Sequence, residues 1–210
     1  SLSESDQKSY NTISERLGEL STKFSNNVLD ATNKWHLILD NKSQVKGLPE
    51  RVLELMALSA QRHLKKEGDV DSQNGPWKLS LDIPTYTAFM SYAEDSSLRE
   101  KLYKAFVSRA SEGDENNSQI IEEILTLRTK QAKLLGYDSW ADLSLSTKMA
   151  GKIDSVEKLL EELREPSFKA AKLELENLNN FANKNGLNND NRLKPWDISY
   201  WSELLRKEKL

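Results

Sequence analysis

The chain has 210 residues, of which 37% are hydrophobic and 30% are charged, a composition that predicts a soluble globular protein with a sizeable core. Its 30 basic and 33 acidic residues are interspersed and leave a formal net charge of −3, so no surface for nucleic acid or an anionic membrane is indicated. Cysteine is absent, which excludes disulfides and fits a reducing, intracellular compartment, and no apolar run approaches the roughly 20 residues of a membrane-spanning helix.

The first third of the chain predicts two helices. Apolar residues at helical intervals predict a long amphipathic helix over about 11–40: Leu17, Leu20, Phe24, Val28, Trp35 and Leu39. Gly47 and Pro49 then mark a turn and the start of a second helix, which we expect to extend to about residue 67. One face of that helix carries Val52, Leu55, Met56, Ser59 and His63.

The segment 77–83 predicts the one convincing β-strand. A polar, glycine-bounded loop precedes it over 68–75. Apolar and polar residues then alternate with a period of two, as in a half-buried strand, until Pro84 ends the pattern. Because one strand is not stable alone, it must pair within a larger parent fold or with a less obvious strand of this chain.

Helical signals resume after Pro84. Helices are expected over about 85–92, 98–106 and 120–135 and around 140–143, with a loop at 113–117. Their ends follow from capping residues: Ser96 or Ser97 begins the second, Gly136 ends the third, and Asp138 or Ser139 begins the fourth.

The last quarter predicts more helix. Asp154 in a capping-box pattern opens a helix at about residue 155, which Pro166 breaks or kinks and which continues over 168–183. Gly186 and the asparagines after it predict a loop, and Asp197 is expected to be the N-cap of a last helix over 198–209. The fold class is therefore mainly α: a single domain over 1–210 of seven or eight helices, with long amphipathic helices and one short strand near 77–83. No internal repeat is evident.

The two histidines, His36 and His63, lie far apart in the sequence. A peptidase zinc needs imidazole, carboxylate or thiolate donors that converge, usually from a His-Glu-x-x-His helix, and neither histidine has such a neighbour. His36, flanked by apolar residues, is expected to be packed. His63 is expected to be a surface or half-buried structural residue rather than a proton donor. We therefore expect no catalytic, cofactor-binding or metal-binding residue in this chain.

Adjacent acidic residues are also poor candidates for chemistry. They are the pairs Glu94-Asp95, Glu122-Glu123 and Glu161-Glu162. Neighbours on a helix point about 100° apart and do not converge as an acid–base dyad, so solvated faces are expected. The segment 69–75 faintly resembles a calcium-binding loop, but Ser80 stands at the twelfth position, where such a loop needs glutamate.

Five tryptophans are expected to be core anchors rather than ligand contacts, because each buries a large area. They are Trp35, Trp77, Trp140, Trp196 and Trp201. An exposed apolar patch near Trp196 and Trp201 would instead indicate an interaction surface.

Eight segments occur in a characteristic order: FSNNVLDAT (24–32), GLPE (47–50), LDIPTY (81–86), YKAFVSRA (103–110), the segment 117–128, LLGY (134–137), LSLSTKMA (143–150) and PWDISYW (195–201). Together they resemble the thimet oligopeptidase and oligopeptidase A family of zinc metallopeptidases, from near Leu17 to the end of the chain. The resemblance is closest to the oligopeptidase A branch, found in bacteria and in plant organelles or cytosol.

The resemblance implies a mostly helical, two-lobed enzyme that cleaves short peptides inside a deep channel, from which folded proteins are excluded. In that family the zinc motif lies downstream of the matched region, so no catalytic or metal residue carries over to this chain, and zinc is implied only for the full-length family. The implied location is the cytoplasm or the matrix of a mitochondrion or chloroplast. This chain would supply wall and scaffold for the channel.

Three functions stay open at this point. The chain is a helical portion of a longer oligopeptidase, as its start at Ser1 and its end before a zinc motif suggest; or it is a short non-catalytic paralogue that binds peptides or a peptidase relative; or it is a general helical interaction scaffold. We favour the first. The expected partners are short peptides or a peptidase catalytic domain, with no nucleic acid and no membrane.

Overall fold

The computed structural model describes residues 2–65, 71–187 and 192–210. In chain order, the regular elements within these ranges are α1 (Glu4–Lys34), β1 (His36–Leu39), α2 (Glu50–Leu64), β2 (Trp77–Ser80), α3 (Ile83–Tyr92), α4 (Ser96–Val107), α5 (Ser118–Leu134), α6 (Trp140–Leu145), α7 (Ile153–Lys184) and α8 (Ile198–Lys209). Short 3-10 turns cover Lys42–Val45 and Gly113–Glu115. The mainly α fold class is confirmed. The helices of the described ranges include no candidate for a membrane-spanning segment.

The predicted helix over 11–40 was wrong at both ends. It begins at Glu4 and ends at Lys34, and the next residues form β1 instead of continuing the helix. Trp35 and Leu39 are spaced as on a helix, but the apolar run between them is also compatible with a strand. Pairing with a distant strand decides between the two conformations, because strand preference depends strongly on its surroundings.

That distant strand is β2, so the predicted strand has its partner within this chain. The two strands are antiparallel, with Leu37 opposite Leu79 and Leu39 opposite Trp77. Directly opposed residues share one face of a sheet. Trp77 and Leu79 are fully buried and Leu39 is 2% exposed, so this face of the small sheet belongs to the core.

Contacts within the chain divide it into two compact units. The first combines Ser1–Leu29 with Ala110–Lys172, and the second combines Asp30–Arg109 with Leu173–Leu210. The single domain predicted over 1–210 stays a prediction.

In the first unit, polar bonds hold α5 against the first part of α1. Asn117 is almost fully buried; it accepts a hydrogen bond from Asn27 Nδ2 at 2.9 Å and donates one to the Phe24 carbonyl at 3.1 Å. Further along, Gln131 Nε2 donates to Ser14 Oγ at 2.8 Å. Later residues of α5 thus meet earlier residues of α1, so the two helices run antiparallel.

Two hydrophobic clusters lie among the described residues of the second unit. The larger one surrounds the small sheet and includes Met56, Trp77, Leu79, Leu81, Phe89 and Leu102. The smaller one comprises Leu178, Ala182, Leu187 and Trp201. Leu178 and Ala182 lie on α7 and Trp201 lies on α8, while Leu187 follows the end of α7. The Phe181 ring of α7 meets the Trp201 ring edge-on, with the centroids 6.2 Å apart.

Three predicted helix boundaries need correction. Asp95, not Ser96 or Ser97, is the N-cap of α4, since its Oδ1 accepts the Leu98 backbone N–H at 3.0 Å. Asp154 lies inside the first turn of α7 rather than before it. The helix also continues through Pro166, which is exposed, so water can satisfy the carbonyl that loses its helical donor.

Other boundaries agree with the sequence. Ser139 is the N-cap of α6, as its hydroxyl accepts the Asp142 N–H at 3.1 Å. The helix α2 ends at Leu64, and residues 66–67 of its predicted extension lie outside the described residues. So do parts of three other predicted features: residues 68–70 of the loop, 69–70 of the discounted calcium-binding loop and, after Gly186, the asparagines at 188, 189 and 191.

Candidate functional site

The two histidines, distant in the sequence, are neighbours in the structure. The pairing of β1 with β2 and the packing of α2 bring the ring centroids of His36 and His63 to 4.2 Å, with the ring planes at 63°. His36 Nδ1 lies 3.1 Å from the Lys34 carbonyl oxygen, which can only accept, so a hydrogen bond at this position requires the proton on Nδ1. The pKa of the exposed His63 is lowered, first by partial desolvation and then by the nearby charges of Lys78 and His36.

The zinc centre that the resemblance implies does not fit these residues. A catalytic zinc takes three protein ligands, and a structural zinc takes four. Within residues 2–65, 71–187 and 192–210, no group of three or more histidine, cysteine, aspartate or glutamate side chains could hold a metal ion. Among the side chains that the structure describes, the two imidazoles are therefore not joined by the further donors that such a centre requires.

The acidic pairs are placed in structural roles. The Glu123 carboxylate accepts two hydrogen bonds from the Arg16 guanidinium, at 2.7 and 3.0 Å. Glu161 forms an ion pair with Arg164 on its own helix. Glu94 pairs with Lys46 at 2.8 Å, and Asp95 is the N-cap of α4. No acid–base dyad is formed by these described residues.

Of the charged side chains in the described part of the chain, the two most buried form an ion pair that sequence reasoning missed. Arg99 on α4 and Asp197 before α8 are 2% and 0% exposed, and Arg99 Nη2 donates to Asp197 Oδ1 at 2.7 Å. The remaining guanidinium donors reach backbone carbonyls of Ala93, Glu94 and Trp196 at 2.6–3.1 Å. Every nitrogen of the guanidinium is thus bonded, which offsets the cost of burying the charge.

Asp197 was predicted as an N-cap, and it does occupy that position. Its side chain makes no capping bond to α8. Instead its carboxylate accepts three hydrogen bonds: from the Arg99 guanidinium, from the Ser96 hydroxyl at 2.9 Å and from the Lys194 backbone N–H at 3.2 Å. This carboxylate therefore joins the segment before α8 to the start of α4, and its role is structural.

The tryptophans pack as anchors. Trp77 and Trp201 are buried, and Trp35 and Trp196 pack against the larger cluster of the second unit. Trp140 is half-buried beside the Arg128 guanidinium, 5.2 Å from its ring centroid. The prediction of core anchors is confirmed for the four packed or buried rings, which leaves neither Trp196 nor Trp201 as an exposed ring among the described residues.

A groove of about 800 Å³ lies between α1 and α5, within the first unit. Its floor consists of the half-buried Ile13, Leu127 and Leu134. Exposed lysines and hydroxyl side chains, with no carboxylate among the described residues, complete its lining: Lys8, Ser9, Thr12, Thr129, Lys130 and Lys133. These lysines do not stand out in the sequence, because isolated basic residues on a helix are normally solvated. Their spacing by three on α5 was the available signal.

Comparison with known proteins gives close relatives. The organellar oligopeptidase A, chloroplastic/mitochondrial, and the probable cytosolic oligopeptidase A of Arabidopsis thaliana are each 41% identical over 208 residues, or 99% of this chain. Oligopeptidase A of Escherichia coli is 38% identical over 209 residues, or 96% of the chain. The chain spans only 26–29% of the length of these relatives.

A family model also matches more than half of the chain. It describes Peptidase family M3 and covers residues 89–210. These residues include the buried ion pair and all of α4 to α8. The resemblance read from the sequence is confirmed, and the chain belongs to Peptidase family M3.

Proposed function

We propose that this chain is the helical channel-wall and scaffold portion of an oligopeptidase A-like zinc metallopeptidase that degrades short peptides, and that the chain itself does not hold the catalytic zinc. The observation that carries the proposal is the pattern of coverage. Relatives 38–41% identical match 96–99% of this chain, but the chain matches only 26–29% of them. In this proposal residues 1–210 form a single non-catalytic helical domain in the cytoplasm or in an organelle matrix.

The donor set supports the non-catalytic part of the proposal. Activation of water for amide hydrolysis needs an ion held by several converging ligands. The described residues offer one pair of imidazoles, His36 and His63, with no third donor beside it. Metal-assisted hydrolysis would therefore depend on residues supplied by the rest of a longer protein.

An exposed apolar stripe on α7 supports the scaffold part. Leu159, Leu160 and Leu163 fall on one helical face and are 55–60% exposed. Charged pairs such as Arg164–Glu161 and Lys169–Glu165 lie on other faces of the helix. A stripe of this kind is typical of a surface that packs against more protein. In this proposal the remainder of the peptidase covers it.

Peptide cleavage tests the proposal directly. The purified chain, supplied with zinc, is expected to leave a quenched fluorescent peptide intact, whereas full-length E. coli oligopeptidase A serves as the active control. Zinc-dependent cleavage by this chain alone, abolished by a chelator, would refute its assignment as non-catalytic.

The same stripe on α7 also fits a second function, a short non-catalytic paralogue that binds peptides or a peptidase relative. The transcript downstream of the Leu210 codon separates the two. An open reading frame that continues into a His-Glu-x-x-His motif supports the first function, and a stop codon supports the second. For the second, affinity capture with the tagged chain should recover a peptidase or peptides under mild salt.

A further inference from the structure

The groove between α1 and α5 combines an apolar floor with a basic rim. Ile13 and Leu127 are half-buried at its base, while the ammonium groups of Lys8, Lys130 and Lys133 stand at its edges in solvent. Its volume of about 800 Å³ lies within the range of sites that bind small ligands, about 300–1,000 Å³. The groove therefore offers aliphatic contact and positive charge to the same ligand.

The walls of the groove are held in place before any ligand arrives. Gln131, between the lining residues of α5, donates to Ser14 of α1 at 2.8 Å. Close by along α1, Arg16 holds Glu123 through two bonds. Preformed walls lower the entropy cost of binding, because the helices need not be ordered by the ligand.

The charge of the groove is local and poorly neutralised. The whole chain carries a net charge of −3, but no acidic residue is found among the described residues that line the groove. Lys133 has one acidic neighbour, Asp138, at 3.4 Å, and that carboxylate is fully exposed, so solvent screens the contact. A ligand carboxylate can compete for this ammonium group.

We propose that this groove binds short peptides that combine aliphatic side chains with carboxylates. The aliphatic side chains contact the floor, and the carboxylates lie beside Lys8, Lys130 and Lys133. The choice of a peptide rests on the proposed function, in which the chain forms the wall of a peptide channel. The described lining has no aromatic residue on which a base could stack, which disfavours nucleic acid and nucleotides.

Fluorescence anisotropy with matched peptides tests the charge and the apolar requirement together. A labelled peptide of about eight residues in which Leu and Glu alternate is compared with one of Leu and Lys and one of Ser and Glu. The Leu–Glu peptide should bind at least about tenfold more tightly than either, a difference of about 1.4 kcal/mol. Its affinity should fall as salt rises from about 50 to about 500 mM, because salt screens exposed charges.

Charge-reversal variants locate the site. Lys130→Glu with Lys133→Glu should weaken binding of the Leu–Glu peptide at least about tenfold, and Lys8→Glu alone should weaken it less. Lys101→Glu with Lys172→Glu changes two exposed lysines elsewhere and gives the same net charge, so it should leave the affinity unchanged. All of these positions are exposed on helices, and circular dichroism verifies that the variants fold.

Several outcomes would overturn the proposal. They are absence of binding by the Leu–Glu peptide, equal binding of the Leu–Lys peptide, and an equal loss in the control pair. Binding of anionic lipid vesicles without binding of the peptide would assign the lysines to a membrane surface instead. None of these results depends on peptide cleavage or on the sequence downstream of Leu210, so the groove can fail while the proposed function stands.

Discussion

Arg99 and Asp197, 98 positions apart in the sequence, form an ion pair with 2.7 Å between Nη2 and Oδ1. The exposed fraction of each side chain is no more than 2%. The Arg99 guanidinium also stacks over the Tyr200 ring, 4.3 Å from its centroid. Through these two contacts the charge of Arg99 links α4 to α8 and to the residue before it, in addition to apolar packing. A buried pair of this kind makes each partner dependent on the other.

Removal of the carboxylate should therefore destabilise the second unit strongly. Asp197→Ala is expected to lower the free energy of unfolding by about 3–5 kcal/mol, because Arg99 would remain buried without its counter-ion. Chemical denaturation measures the change. Arg164→Ala, which removes an exposed ion pair on α7, is the control and should have little effect. A small loss in Asp197→Ala would show that water or rearrangement compensates the guanidinium.

Two glycines should respond in opposite directions to alanine. Gly47 has a φ of +89°, and a Cβ there would lie 2.3 Å from the Tyr92 carbonyl oxygen, so Gly47→Ala should cost more than about 1 kcal/mol. Gly18 lies inside α1, and a Cβ at this position would have nothing within 4 Å, so Gly18→Ala should stabilise the chain by about 0.5–1 kcal/mol. Thermal unfolding measures both changes; the same sign in both would contradict this assignment.

The histidine pair predicts a dependence of stability on pH. The pKa of His63 is lowered in the folded chain, so the unfolded chain binds this proton more readily. The contribution of His63 to stability is present above its ordinary pKa of about 6.5 and is lost as the pH falls toward the lowered value.

His63→Gln should reduce this loss of stability on acidification, as measured by denaturation midpoints across the window below about pH 6.5. The charge of His36 contributes to the shift, so His36→Gln should raise the pKa of His63 in an NMR titration. A His63 pKa at or above the ordinary value in the unmodified chain would contradict the geometry of the pair.

The proline inside α7 should limit its stability. Pro166 lacks the N–H that would close a helical hydrogen bond, and its side chain is exposed. Pro166→Ala is therefore expected to raise the free energy of unfolding by about 1–3 kcal/mol. Ser167→Ala, the exposed neighbour, should produce a change of less than about 0.5 kcal/mol. Destabilisation by Pro166→Ala would indicate that the ring makes contacts that the helix requires.

Local signals in the sequence predicted most of the helices, since periodicity and capping act over a few residues. Ser139 begins α6 as expected, and the last helix begins at Ile198. The strand β1 was missed because Trp35 and Leu39 also satisfy helical spacing. Only pairing with Trp77 and its neighbours, far along the chain, makes the strand the more stable conformation.

The candidate sites were harder to predict, because each depends on residues that the fold brings together. His36 and His63 gave no sign of proximity, since neither lies within a helical turn of the other. Arg99 between Leu98 and Leu102 could have been suspected of burial, but nothing local identified Asp197 as its partner. The lysine-rimmed groove requires the antiparallel packing of α1 and α5, which no single segment encodes.

The long separation between the two charges also bears on synthesis of the protein. On a ribosome, Arg99 emerges well before Asp197, because chains grow at about 5–20 residues per second from the N-terminus. Until the Asp197 carboxylate emerges, burial of the Arg99 guanidinium would leave its charge without a counter-ion. We therefore expect α4 to reach its final position only after residue 197 has left the ribosome, so that this helix matures later than its own place in the sequence suggests.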